Sequence, residues 1–201
     1  MKHDKLSQIL DDSTDICEFL NKSYEGIDLL PDQHATAARL LIQEAHSVDA
    51  NFLTVSAANA AELEYKKPFV TKFIEARISS LEKYKDHSTE QVDFYASKIA
   101  QNNMLMGAYA YPEKAGPLFA KHQAEWEKAE AFLNKLNESL KQQEGTYLLG
   151  SEFTLADIHV IPLLVRLKMV KQDSVFAGRT VLAAYFTAVA SRTSFQEVFA
   201  Q

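Results

Sequence analysis

The segment from Ala115 to Gln143 limits most strongly what this chain can become. Trp126, Ala129, Leu133, Leu136 and Leu140 step through it by threes and fours, the spacing that lines one face of an α-helix. Such a seam predicts a long helix packed against other helices. Gly145 lies just past its end, where a helix is commonly stopped by a residue in the left-handed region.

The remainder reads the same way. "DDSTDICEFLNKSY" has Asp12 or Ser13 as a cap and Ile16, Phe19 and Leu20 on one face, with Gly26 as its end. A second helical stretch starts after Pro31 with Asp32 as cap, and keeps Ala38, Leu41, Ile42, Ala45, Val48 and Phe52 in helical register. Pro68 is expected to restart a helix holding Phe69, Phe73, Arg77 and Leu81. Another helix is expected from a cap at Ser88 or Thr89 to about Gly107, before Pro112. "TYLLG" reads as a short extended link, and Thr180–Arg192 and the residues from Ser194 as closing helices. With six Gly, five Pro and no βαβ alternation, the prediction is an all-α bundle.

"GSEFTLADIHVIPLLVRL" carries the firmest helix start. With Thr154 as N-cap, its hydroxyl can accept from the Asp157 N–H and the Asp157 carboxylate can accept from the Thr154 N–H. Asp157 also suits the positive helix end. Phe153 and Ile158 occupy the two positions of a hydrophobic staple. Leu155, Ile158, Ile161, Leu164, Val165 and Leu167 are expected to face inward, with Pro162 kinking the helix or being absorbed locally. This box is folding machinery, not chemistry.

Composition narrows the function classes. A net charge of −6 and no basic stripe argue against nucleic acid. One cysteine, Cys17, allows no intramolecular disulfide; beside Ile16 and Phe19 it reads as a partly buried structural thiol. The first residues, "MKHDKLSQILDD", have no apolar core of a signal peptide, and "VIPLLV" is far shorter than a membrane span. The expectation is a soluble intracellular protein with no direct membrane span. His3, His34, His46, His87, His122 and His159 fall at no metal-ligand spacing, so no metal is expected. No Walker loop, GxGxxG or GxSxG is present.

"DDSTDI" alone has the logic of a ligand site. A helix N-terminus offers free N–H groups and a positive field to a carboxylate. The Ser13 hydroxyl adds one bond and Asp12 can pair with an ammonium, a combination that suits a zwitterionic amino-acid head. Ordinary capping explains the same residues.

Three stretches together resemble one family. "DDSTDICEFLNKSYEGIDLLP" resembles the end of the glutathione-binding domain of glutathione S-transferases, with its acidic residue and serine, its helix and a linker ending in "LLP". "YLLGSEFTLADIHVIPLLVRL" resembles the capping box and staple of their helical C-terminal domain, and "AAYFTAVASRTSFQEVF" is similar to their closing helix. The resemblance implies a glutathione S-transferase C-terminal-domain-like bundle over residues 26–201, preceded in residues 1–25 by the last helix of a thioredoxin-like domain and a linker. An added helical stretch, about 64–103, falls between the first two helices of that bundle. By position and by "IEARISSLEKYKD" and "RLKMV" it resembles the ganglioside-induced differentiation-associated protein 1 branch, whose members usually end in a membrane anchor that this sequence does not show.

Carried over residue by residue, the resemblance makes Asp12 and Ser13 contacts to the γ-glutamyl end of glutathione, and puts Phe52 and Tyr109 on helices that line the hydrophobic-substrate pocket. It offers no match for the Ser, Tyr or Cys that activates the glutathione thiol, a residue of the thioredoxin-like domain. The expectation is therefore a ligand-binding or protein-interaction module that requires no cofactor, with glutathione or an apolar small molecule as ligand. The alternatives are a glutathione transferase completed by a separate or removed thioredoxin-like domain, and a scaffold at a mitochondrial or other membrane. A homo-oligomer or a partner protein is expected to cover the face that domain would occupy, in the cytoplasm or peripherally at an organelle membrane.

Overall fold

The computed structural model describes residues 10–87 and 91–199. Among them there is no β-strand, and nine α-helices joined by short 3₁₀ turns make the fold all-α. The caps expected at Ser88 or Thr89 lie outside the described residues. The chain forms two compact units, one from 1–48 with 130–201, the other from 49–129.

In the first unit, α1 is Ser13–Ser23, α2 Asp32–His46, α7 Leu155–Lys171, α8 Thr180–Ala190 and α9 Thr193–Phe199. The second half of α6, which runs Gly116–Gln142, also belongs here. Along this half Leu133, Leu136 and Leu140 are buried, as the seam predicts, and Phe132 joins them. α2 packs on α7 and buries Ala38, Ile42 and Ala45. α7 is buried on nearly every side, from Leu155 through Val160 and Leu164 to Leu167, and it continues through Pro162. The link between α6 and α7 folds tightly. Gly145 has φ 120°, and a Cβ there would lie 2.2 Å from the Gly150 carbonyl carbon, so a side chain is excluded.

The second unit holds α3 Ala50–Val55, α4 Ala60–Tyr84, α5 Val92–Ala110 and the first half of α6. α4 packs along α5 around Leu63, Val70, Ile74 and Tyr109. Three expectations are corrected here. Asp32 is the first residue of α2, not its cap, and the stretch that follows is broken twice before α4. Polar side chains make the breaks. Ser47 donates to the Glu44 carbonyl, Asp49 caps α3 at the Phe52 N–H, and Asn59 caps α4 at the Glu62 N–H. Pro68 does not restart a helix but lies inside α4.

Candidate functional site

Asp12 is the N-cap of α1. Its Oδ1 accepts from the Thr14 N–H at 2.7 Å and the Asp15 N–H at 3.3 Å. These bonds hold its carboxyl below the usual carboxylate range. Ser13, beside it, is exposed. Two of the free N–H groups at the head of α1 are thus already taken by Asp12.

The chain beyond α1 is pinned by Asn21. Its Nδ2 donates to Asp28, and its Oδ1 accepts from the Leu29 N–H. The Leu29 carbonyl in turn accepts from the Leu155 N–H at 2.7 Å, satisfying an otherwise orphan donor at the head of α7. Between α1, this linker and α7 lies a cleft of about 290 Å³. Cys17, Leu20, Tyr24, Ile27, Leu155 and Ile158 give it mainly apolar walls. Burial pushes the Cys17 thiol up, aided by the Asp12 charge, so it is a poor thiolate. The open side is apolar as well, since Ile27 is 85% exposed and Tyr24 58%.

Of the expected reciprocal box only the Asp157 half forms: the Thr154 hydroxyl donates to the Asp157 carboxylate instead of accepting from its N–H. Asp157 Oδ2 accepts from the Thr154 N–H at 2.8 Å and from the Thr154 hydroxyl at 3.0 Å. Oδ1 accepts from the Leu148 N–H at 3.1 Å and from the Tyr185 hydroxyl at 3.0 Å. One fully buried carboxylate thereby joins the α6–α7 link, the head of α7 and α8. Burial raises its carboxyl above the usual range, and the hydrogen bonds oppose that shift. Phe153 stands edge-on to Tyr147, and the Arg192 guanidinium lies 4.0 Å from the centre of its ring. Ile158 faces the cleft, so the two staple positions serve different neighbours.

Phe52 and Tyr109 belong to the other unit. Phe52 is half-buried under the Lys121 ammonium, 4.5 Å from its ring centre. Tyr109 has no exposed surface, and its hydroxyl donates to the Val55 carbonyl at 2.7 Å. It is a core residue of this unit, not the wall of an open pocket. Lys66 donates to the Leu53 and Ser56 carbonyls, so with Tyr109 it closes the C-terminal end of α3. Burial works to raise the Glu62 carboxyl, but Lys66 at 2.8 Å and the Ala58 N–H leave it below the usual range. The Ser56 hydroxyl lies 2.7 Å from His122 Nδ1. Both are buried, which leaves this serine–histidine contact no route to a substrate. Among the described residues no group of three or more His, Cys, Asp or Glu is arranged to hold a metal, and no helix is long and apolar enough to cross a membrane.

Sequence reasoning missed the Tyr185 and Leu148 donors to Asp157, the Arg192 contact with Phe153, and a pairing of His46 with His159. All are contacts between distant positions and leave no local signal.

Residues 109–193 match the family model described as glutathione S-transferase, C-terminal domain. This match identifies a glutathione S-transferase C-terminal helical domain over residues 109–193. A curated relative, glutathione S-transferase TCHQD of Arabidopsis thaliana, is 38% identical over 68 residues, 33% of this chain and 26% of that protein. The matched stretch thus spans about a quarter of the relative's length.

Proposed function

We propose that this chain is a glutathione S-transferase-like helical domain that binds an apolar small molecule in the cleft between α1 and α7, without supplying a thiol-activating group. The cleft carries the reading: mainly apolar walls, a volume of about 290 Å³, and a raised, poorly nucleophilic thiol in its lining. Asp12 and Ser13 are proposed as a weak contact for the amino-acid end of glutathione, and no cofactor is required. The exposed Tyr24 and Ile27 support a covering partner, either a second copy of the chain or another protein. The cytoplasm, or the periphery of an organelle membrane, is the proposed location.

The test is a titration with an apolar fluorophore. Saturable binding weakened by Ile27→Glu, an exposed substitution with little folding cost, supports the reading. Saturable binding that is indifferent to Ile27→Glu, or no binding, contradicts it. The second reading is a glutathione transferase completed by a thioredoxin-like domain, favoured by the domain match and by the name of the relative. Conjugation of glutathione to a model electrophile by the purified chain would favour that second reading.

A further inference from the structure

Two histidines distant in sequence meet in the unit formed by 1–48 and 130–201. His46 is the last residue of α2, and His159 lies in the second turn of α7. His46 Nε2 is 3.2 Å from His159 Nδ1, with the rings edge to face. His159 is only 9% exposed, and its Nε2 is buried with no hydrogen-bond partner among the described residues.

The protons of this pair can be counted. Two neutral rings carry one N–H each, and one of these fills the bridge. Because nothing accepts at His159 Nε2, the network assigns the bridging proton to His159 Nδ1, donating to His46 Nε2. The second proton then sits on His46 Nδ1. If the pair takes up a third proton and the bridge stays intact, one place remains, His159 Nε2. This holds whichever ring is credited with the bridging proton. The result is a buried N–H of a cationic pair with no acceptor, which is strongly unfavourable. Protonation and the bridge are therefore in conflict.

We propose that the His46–His159 pair is a proton-sensitive latch between α2 and α7, closed when both rings are neutral and opened when the pair takes up a proton. The neighbouring charges are few. From α1, the Asp12 charge acts on the His159 ring and favours its charged form. The Cys17 thiol next to it also feels Asp12. On α2, Glu44 is paired with Lys135. On α7, Asp157 is engaged by its four donors, and Lys168 pairs with Asp173 of the following 3₁₀ turn. The conflict comes from the buried side of His159. Burial, and then His46, hold the His159 ring below the usual histidine value, against the pull of Asp12.

A ring held lower in the folded than in the unfolded chain contributes full stability above the unfolded value, about pH 6.5, and loses it as pH falls below that. The experiment uses the whole chain. Nitrogen-detected imidazole spectra near neutral pH should show His159 protonated at Nδ1 and titrating below the ordinary histidine value. Urea melts at about pH 7.5 and about pH 5.5 should show a folding equilibrium constant that falls about tenfold further in the wild type than in His159→Gln, which keeps a donor toward His46 but cannot titrate. An Nε2–H tautomer for His159, a titration at or above the ordinary histidine value, or an unchanged pH slope in the variant would each overturn the proposal. If the variant does not fold, the spectra of the wild type decide.

Discussion

Replacing Asp157 with alanine is the sharpest perturbation of the fold. Four donors converge on this carboxylate, and the residues that supply them, Leu148, Thr154 and Tyr185, are all at most 4% exposed. After the substitution the Thr154 hydroxyl can turn to a backbone acceptor. The Thr154 N–H, the Leu148 N–H and the Tyr185 hydroxyl are left with nothing to donate to. At about 1–3 kcal/mol for each buried donor, less what is regained by no longer burying a charge, the net cost is about 3–5 kcal/mol. For a chain of this size each kcal/mol lowers Tm by about 2–4 °C. Thr154→Ala removes only one hydroxyl donor to Asp157 and should cost about 1–2 kcal/mol. Urea unfolding followed by far-UV circular dichroism measures both, provided the slope against urea is unchanged. A cost for Asp157→Ala within about 1 kcal/mol of zero, or below that of Thr154→Ala, would refute the account of Asp157 as a junction of three elements.

Three further expectations follow from the same geometry. Tyr185→Phe deletes one donor to Asp157 without a cavity and should cost about 1–2 kcal/mol in the same urea assay. Gly145→Ala must relieve both a left-handed φ and a 2.2 Å approach to the Gly150 backbone, and should destabilise by more than about 2 kcal/mol, whereas Gly26→Ala, with open space around it, should be near neutral. Cys17, raised by burial, should react with a thiol-specific disulfide reagent near neutral pH more slowly than free cysteine does; a faster reaction would contradict its placement.

The parts of the fold legible in the sequence are those written in consecutive residues. The seam of α6 repeats every three to four positions, and the Asp157 carboxylate meets the Thr154 N–H within four residues, so both could be read directly, whereas the Thr154 hydroxyl turned to the same carboxylate and not to the Asp157 N–H. The breaks around α3 were also encoded locally, by Ser47, Asp49 and Asn59. They were hidden because the apolar spacing of Ala45, Val48 and Phe52 stays in helical phase across them. Pro68 shows the reverse error: a helix breaker by local rule, it is carried inside α4 by a helix that buries Leu63, Val70 and Ile74 on either side of it. Asp12 was legible as the N-cap of α1 because a helix start is a local signal. The cleft along the later turns of α1 was not, since it needs Leu155 and Ile158 to meet residues far earlier in the chain. The His46–His159 contact joins positions 113 residues apart and leaves no trace in either neighbourhood.

The central proposal, an apolar ligand held between α1 and α7, is tested most directly by photolabelling the intact chain with an apolar diazirine probe and mapping the labelled peptides by mass spectrometry. The account predicts label concentrated on residues 17–29 and 155–158, and suppressed by excess unlabelled apolar ligand. Label that gathers instead on the other exposed aromatic surface, Tyr65, Phe69 and Phe73 of α4, or that is spread without saturation, would contradict it.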